Sequence, residues 1–111
     1  GQAAIDYYQS VVRKMGAKRA GQFVRLFMAP GVQHCGGGAG PNTFGQGSAP
    51  KGDPAQSIAA ALLAWVEDGK EPEQIVAMRK GRTRPLCAYP KTARYKGSGS
   101  TDDAANFECA Q

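Results

Sequence analysis

The stretch QFVRLFMAPGVQHCGGG, Gln22 to Gly38, decides how this chain is read. Phe23, Val24, Leu26, Phe27 and Met28 make an almost continuous apolar run, broken only by Arg25. Aromatic and β-branched residues favour a strand. An apolar run without alternation fits a strand covered on both faces, as in a parallel sheet flanked by helices. Pro30 ends the run, and beyond it stands the only histidine of the chain, His34, followed by Cys35 and three glycines. Loops at the carboxyl ends of parallel strands are where α/β folds place ligands and catalysts. A histidine there fits the role of general base to a serine nucleophile, with an acid orienting its other ring nitrogen. The competing reading is an incidental surface imidazole.

On the amino-terminal side, QAAIDYYQSVVRKMG has the period of an amphipathic helix. Ile5, Tyr8, Val12 and Met15 share one face, Tyr7 and Val11 widen it, Arg13 and Lys14 suit the last turn, and Gly16 is a natural stop. Gly1 offers neither a cap nor a preceding strand, so the expectation is a chain that opens partway through a larger fold. Helix followed by strand is half of an α/β unit, and a parallel sheet needs more strands than this chain supplies.

On the carboxyl side, the loop from Gly31 to Gly52 carries eight glycines and two prolines. A loop of that length inside a compact domain is functional or disordered. DPAQSIAAALLAWVEDG then predicts a helix, with Asp53 as N-cap, Pro54 in the first position, Gln56 completing a capping box and Gly69 closing it. Ile58, Leu62, Trp65 and Val66 are its expected apolar face, and Ala59, Ala60, Ala61 and Ala64 are expected to let it lie close against a sheet. EQIVAMRK reads as a short strand. The remainder, from Gly81 onward, has no sustained period and reads as a Pro/Gly/Ser-rich arm without packed elements.

Composition narrows the function classes. The chain has 111 residues, 41% hydrophobic and 21% charged, which is one globular domain at most. No apolar run reaches the roughly 18 to 20 residues of a membrane helix. The net charge is +5, with basic clusters at Arg13, Lys14, Lys18 and Arg19, and at Arg79, Lys80, Arg82 and Arg84, then Lys91, Arg94 and Lys96. Such clusters bind phosphate or acidic partners, or simply solvate a surface. Aromatic residues do not interleave with them as nucleic-acid stacking platforms do, so no nucleic acid is expected. A phosphate cradle fails because GAGPNT lacks the third glycine and no Gly-Lys-Ser/Thr exists. A metal site from His34, Cys35, Cys87 and Cys109 fails on spacing. The three cysteines are an odd number, leaving at least one for another chain, a free thiol, or a partner elsewhere.

Taken in order, DYY, RLFMAPGVQHCGGG, LLAWVEDGKEP, RTRPLCAYPKTARYKGSGS and NFECA resemble the carboxyl-terminal end of the tannase/feruloyl esterase family, which also contains a bacterial hydrolase of terephthalate half-esters. These pieces span nearly the whole chain, and their order makes the match specific. The resemblance implies that residues 1–111 are the C-terminal portion of an α/β-hydrolase catalytic domain: helix, strand, catalytic histidine loop, helix, short strand, disulfide-tied arm. It implies a carboxylic ester hydrolase acting on aromatic-acid esters (feruloyl, galloyl or terephthalate half-esters) through a Ser-His-Asp triad, with His34 as the histidine.

Family members carry a disulfide between the cysteine beside the histidine and one beside the serine. That implies a partner for Cys35 outside this chain, because no Cys-Ser dipeptide occurs here. The family's acid is expected just upstream of Gly1, and Asp6 is not that residue. The family's last disulfide falls on Cys87 and Cys109; closing a loop of that size contributes about 3 kcal/mol in the chain-entropy picture. No cofactor is implied in this segment, and the calcium site of relatives belongs to a lid that this chain lacks. The implied partners are the ester substrate and the remaining, amino-terminal part of the enzyme, with no membrane. The isolated chain is expected to be inactive and, with apolar faces uncovered, to self-associate. Disulfides and family likeness imply a secreted or periplasmic protein. The alternative expectation is a stand-alone basic binding or assembly module without catalysis.

Overall fold

The computed structural model describes residues 1–47 and 49–111; Ser48, in the long glycine loop, lies outside them. The amino-terminal helix α1 covers Gln2–Met15 and a short α2 covers Ala17–Ala20. Helix α3, Ile58–Asp68, precedes two antiparallel hairpins: β1 Gln74–Arg79 with β2 Arg82–Cys87, and β3 Thr92–Tyr95 with β4 Phe107–Ala110. A 3-10 turn, Ala104–Asn106, leads into β4.

α1 runs where its periodicity predicts, and Arg13 and Lys14 occupy its last turn. Its stripe of Ile5, Tyr8, Val11, Val12 and Met15 is only half-buried, and Tyr7 is 70% exposed. Tyr8 packs edge-on against Tyr89, with ring centroids 5.8 Å apart, which fixes α1 beside the end of β2.

Four sequence expectations are corrected. The run from Phe23 to Met28 is not a strand. Residues 21–23 continue as a turn out of α2, and only Phe27 makes a bridge, antiparallel, to Ala88. A strand exists only where a neighbour takes up its backbone donors and acceptors, and among the described residues no parallel neighbour lies beside this one. Secondly, α3 begins four residues later than its capping box indicates. Asp53 instead accepts from the Ala55 amide and closes a local turn. Ser57 is the N-cap, its hydroxyl accepting from the Ala60 amide at 3.2 Å. Ser57 itself has the extended backbone of a cap and is buried, so the tertiary structure chooses the later of two competent caps.

The third correction concerns the face of α3. The buried residues are Ala60 and Ala61, while Leu62 and Val66 are 58% and 75% exposed. Close backbone approach needs small side chains, and the alanines provide it. The fourth concerns the arm after Gly81, which folds into β2, β3 and β4. β2 escaped recognition because Pro85 sits inside it, opposite Val76. A proline is tolerated in a two-stranded ribbon, where one edge of each strand needs no partner.

The core is small. Ile75, Ala77, Leu86, Cys87 and Ala88 are buried along the first hairpin, joined by Ala20, Ala60 and Ala61 from the helices. The second hairpin is fastened to the first through polar groups. Thr83 donates its amide to the Asp102 carbonyl at 2.8 Å, its hydroxyl accepts from the Ala104 amide at 2.8 Å, and Arg84 lies 3.8 Å above the Phe107 ring. A disulfide between Cys87 and Cys109 closes the far end, with alpha carbons 5.6 Å apart.

Candidate functional site: the His34 loop

Residues 29–40 fold into a tight double-backed loop. The Gly40 amide donates to the Gly31 carbonyl at 3.0 Å, and Val32 and Gly38 form a bridge above it. His34, Cys35 and Gly36 stand at the tip. The glycines are required by space as well as by dihedral angle. A β-carbon on Gly38, whose φ is +88, would collide with the Gly31 carbonyl, and one on Gly40 would collide with the Pro30 carbonyl. Cys35 itself has φ +66, an uncommon conformation for a side-chain-bearing residue. The tip is therefore a backbone-determined platform.

His34 and Cys35 are both exposed. The Cys35 sulfur lies 3.1 Å from His34 Nδ1, and Cys35 is a free thiol. His34 makes no other hydrogen bond among the described residues, so Nε2 is unengaged. Among the described residues, no serine hydroxyl and no carboxylate meets the imidazole there. Cys87 and Cys109 sit on the hairpins, joined to each other and not to the loop. Among the described residues no group of three or more His, Cys, Asp and Glu is placed to hold a metal ion, and no helix is long and apolar enough to cross a membrane.

Two anchors hold the loop against the hairpins. Arg79, at the end of β1, donates from Nη1 to the Ala39 carbonyl at 2.8 Å. Thr43 and Met78 exchange both backbone hydrogen bonds, at 3.1 and 2.9 Å. Neither contact is legible in the sequence, since the partners are some 35 to 40 positions apart and carry no mutual pattern. Beside the base of the loop opens an apolar cleft of about 530 Å³, whose walls include Ile5, Met28, Pro30, Pro41 and Tyr89. His34 does not line it.

Known proteins resemble this chain over nearly its whole length. The family described as "Tannase and feruloyl esterase" matches residues 1–110. The chain is 42% identical to mono(2-hydroxyethyl) terephthalate hydrolase of Piscinibacter sakaiensis, over 95% of this chain and 16% of that protein. It is 38% identical to a probable feruloyl esterase of Arthroderma benhamiae, over 99% of this chain and 20% of that protein. Among solved structures, feruloyl esterase B from Aspergillus oryzae superimposes with a TM-score of 0.85 at 30% identity, covering 98% of this chain and 24% of that one. A second esterase from Aspergillus oryzae superimposes with a TM-score of 0.86 at 28% identity. The chain thus spans about a sixth to a quarter of the length of these relatives. Its mixed α/β topology is that of the corresponding part of the feruloyl esterase fold. Matched from end to end in sequence and superimposable in structure, the chain belongs to the tannase and feruloyl esterase family.

Proposed function

We propose that this chain is the C-terminal, histidine-bearing part of a serine-type carboxylic ester hydrolase, with His34 as its general base and acid. The observation that carries the reading is the conjunction of family membership over residues 1–110 with the sole histidine on a loop whose backbone is held by obligatory glycines. The nucleophilic serine and the orienting acid lie in the rest of the longer protein, as does the lid that shapes the pocket. The names of the relatives, a terephthalate half-ester hydrolase and feruloyl esterases, support esters of aromatic acids as the substrate class.

In this mechanism His34 Nε2 takes the serine proton as the hydroxyl oxygen attacks the ester carbonyl. The tetrahedral intermediate collapses to an acyl-serine, and the imidazolium gives its proton to the departing alcohol. Water then repeats the sequence, with His34 first accepting its proton, and the aromatic acid is released. Cys35 bridges to a cysteine beside the serine. A disulfide confines its two alpha carbons to roughly 4.4–6.8 Å, which holds base and nucleophile in register on loops that would otherwise drift. That bridge, the Cys87–Cys109 bond and kinship with fungal feruloyl esterases support export to an oxidising compartment.

The test is a paired assay on methyl ferulate. The 111-residue chain alone shows no turnover above an imidazole background, and in the complete enzyme His34→Ala lowers kcat by about 10⁴-fold or more. Full activity of the His34→Ala enzyme would sink the assignment.

A further inference from the structure

The hairpin joining β1 to β2 turns through Lys80 and Gly81, both in the left-handed region at φ +46 and +80. This is the two-residue turn that suits a twisted ribbon. It places Arg79 directly opposite Arg82 in the ladder. Like charges facing each other across a strand pair are destabilising, and Lys80 adds a third cation between them. The described structure offsets the repulsion only in part. Asp102 pairs with Arg82 at 2.7 Å, and the Ala39 carbonyl accepts from Arg79 at 2.8 Å. Lys80 has no partner among the described residues. These side chains and Ala39 wall a shallow pocket of about 230 Å³, with three cations against one carboxylate.

We infer that this pocket is an anion subsite that takes a ring-sized carboxylate. Arginine forks match a planar carboxylate, and the uncommitted lysine supplies a point charge beside it. The volume admits one ring. A carboxylate there would relieve the Arg79–Arg82 repulsion that the fold otherwise carries. Two sources have this chemistry: a uronate unit of an acidic polysaccharide, or a free aromatic carboxylate. Because Arg79 also holds Ala39, five residues beyond His34, an anion bound here sits on the element that fastens the histidine loop. The anion subsite rests on this geometry alone, and the choice of ring carboxylates as its ligands rests on the reading proposed above.

The experiment titrates the 111-residue chain with trigalacturonate, with terephthalate, and with their neutral counterparts galactotriose and terephthalamide. NMR follows the backbone amides of residues 79–82 and the arginine Nε–H groups. The expected result is that a carboxylate ligand moves these resonances while its neutral counterpart does not. Binding should weaken about fivefold or more when salt rises from about 50 to 200 mM. Lys80→Asn, chosen because asparagine tolerates the left-handed turn, and Arg82→Gln should each weaken binding about fivefold or more, whereas Arg94→Gln on the other hairpin leaves it unchanged. Response to trigalacturonate alone identifies a uronate chain as the source, and response to terephthalate alone identifies the aromatic acid. The inference is overturned if neutral and anionic ligands act alike, or if Lys80→Asn and Arg82→Gln, both with unchanged far-UV circular dichroism, bind as tightly as the parent.

Discussion

The Cys35 sulfur rests 3.1 Å from Nδ1 of His34, so the thiol occupies the ring nitrogen that an orienting acid would use, and Nε2 has no hydrogen-bond partner among the described residues. Adjacent residues seldom bring their side chains together this way. Here the left-handed backbone at Cys35, φ +66, turns the thiol back toward the imidazole. On the proposed function, engagement of Cys35 in a disulfide would free Nδ1 for the acid. Cys35→Ser in that enzyme is therefore expected to lower kcat by about tenfold or more and to lower Tm. Unchanged turnover with unchanged Tm would show that the cysteine does not position the histidine.

The glycines of the loop separate into those that matter and those that do not. Gly38→Ala combines a left-handed φ with a collision against the Gly31 carbonyl, and should cost about 2 kcal/mol or more. Gly36→Ala meets nothing within 4 Å and should stay within about 0.5 kcal/mol of the parent. Urea denaturation measures both, and amide hydrogen exchange over residues 31–40 should accelerate only in Gly38→Ala.

Arg25, the one charge in an apolar run, is explained by its neighbours. Its guanidinium reaches Glu71 at 2.5 Å and Glu73 at 3.6 Å, lies 5.1 Å from the Trp65 ring and also bonds the Gly21 carbonyl, with only 13% of the side chain exposed. Arg25→Met keeps the apolar stem and removes these contacts, at a cost of about 1–3 kcal/mol. Trp65 is the only tryptophan, so its fluorescence reports the loss directly. An unchanged spectrum together with unchanged stability would contradict the packing described.

Helix initiation offers a sharper comparison. Ser57→Ala removes the side chain that caps α3 and should destabilise by about 1 kcal/mol. Asp53→Ala breaks only a turn outside the helix and should cost less. Thermal melts that rank the two in the reverse order would restore Asp53 as the effective cap.

Phe23, Leu62 and Val66 expose large apolar surfaces, which bury themselves readily against a second copy. The isolated chain should elute from a sizing column above its monomer mass at tens of micromolar, and Leu62→Glu with Val66→Lys should return it to monomer. A compact monomer at all concentrations would show that these faces are not adhesive.

Much of this protein was determined by sequence alone. α1, the stop of α3 at Gly69 and β1 follow from local period and punctuation, which act within a few residues. The ordered motifs also carry the family, because DYY, the His-Cys-Gly loop and the cysteines near the end are read without knowing any contact. Tertiary structure decided the rest. Ser57 replaced Asp53 as cap, and β2 formed despite Pro85. Phe23–Met28 stayed unladdered because a strand is a property of a pair and not of a run. The anchoring of the histidine loop by Arg79 and Thr43, and the apposition of Arg79 with Arg82, likewise depend on register between distant segments. Residue type and short-range spacing encode what the backbone does locally. Which donor meets which acceptor across the fold is settled only when the chain packs.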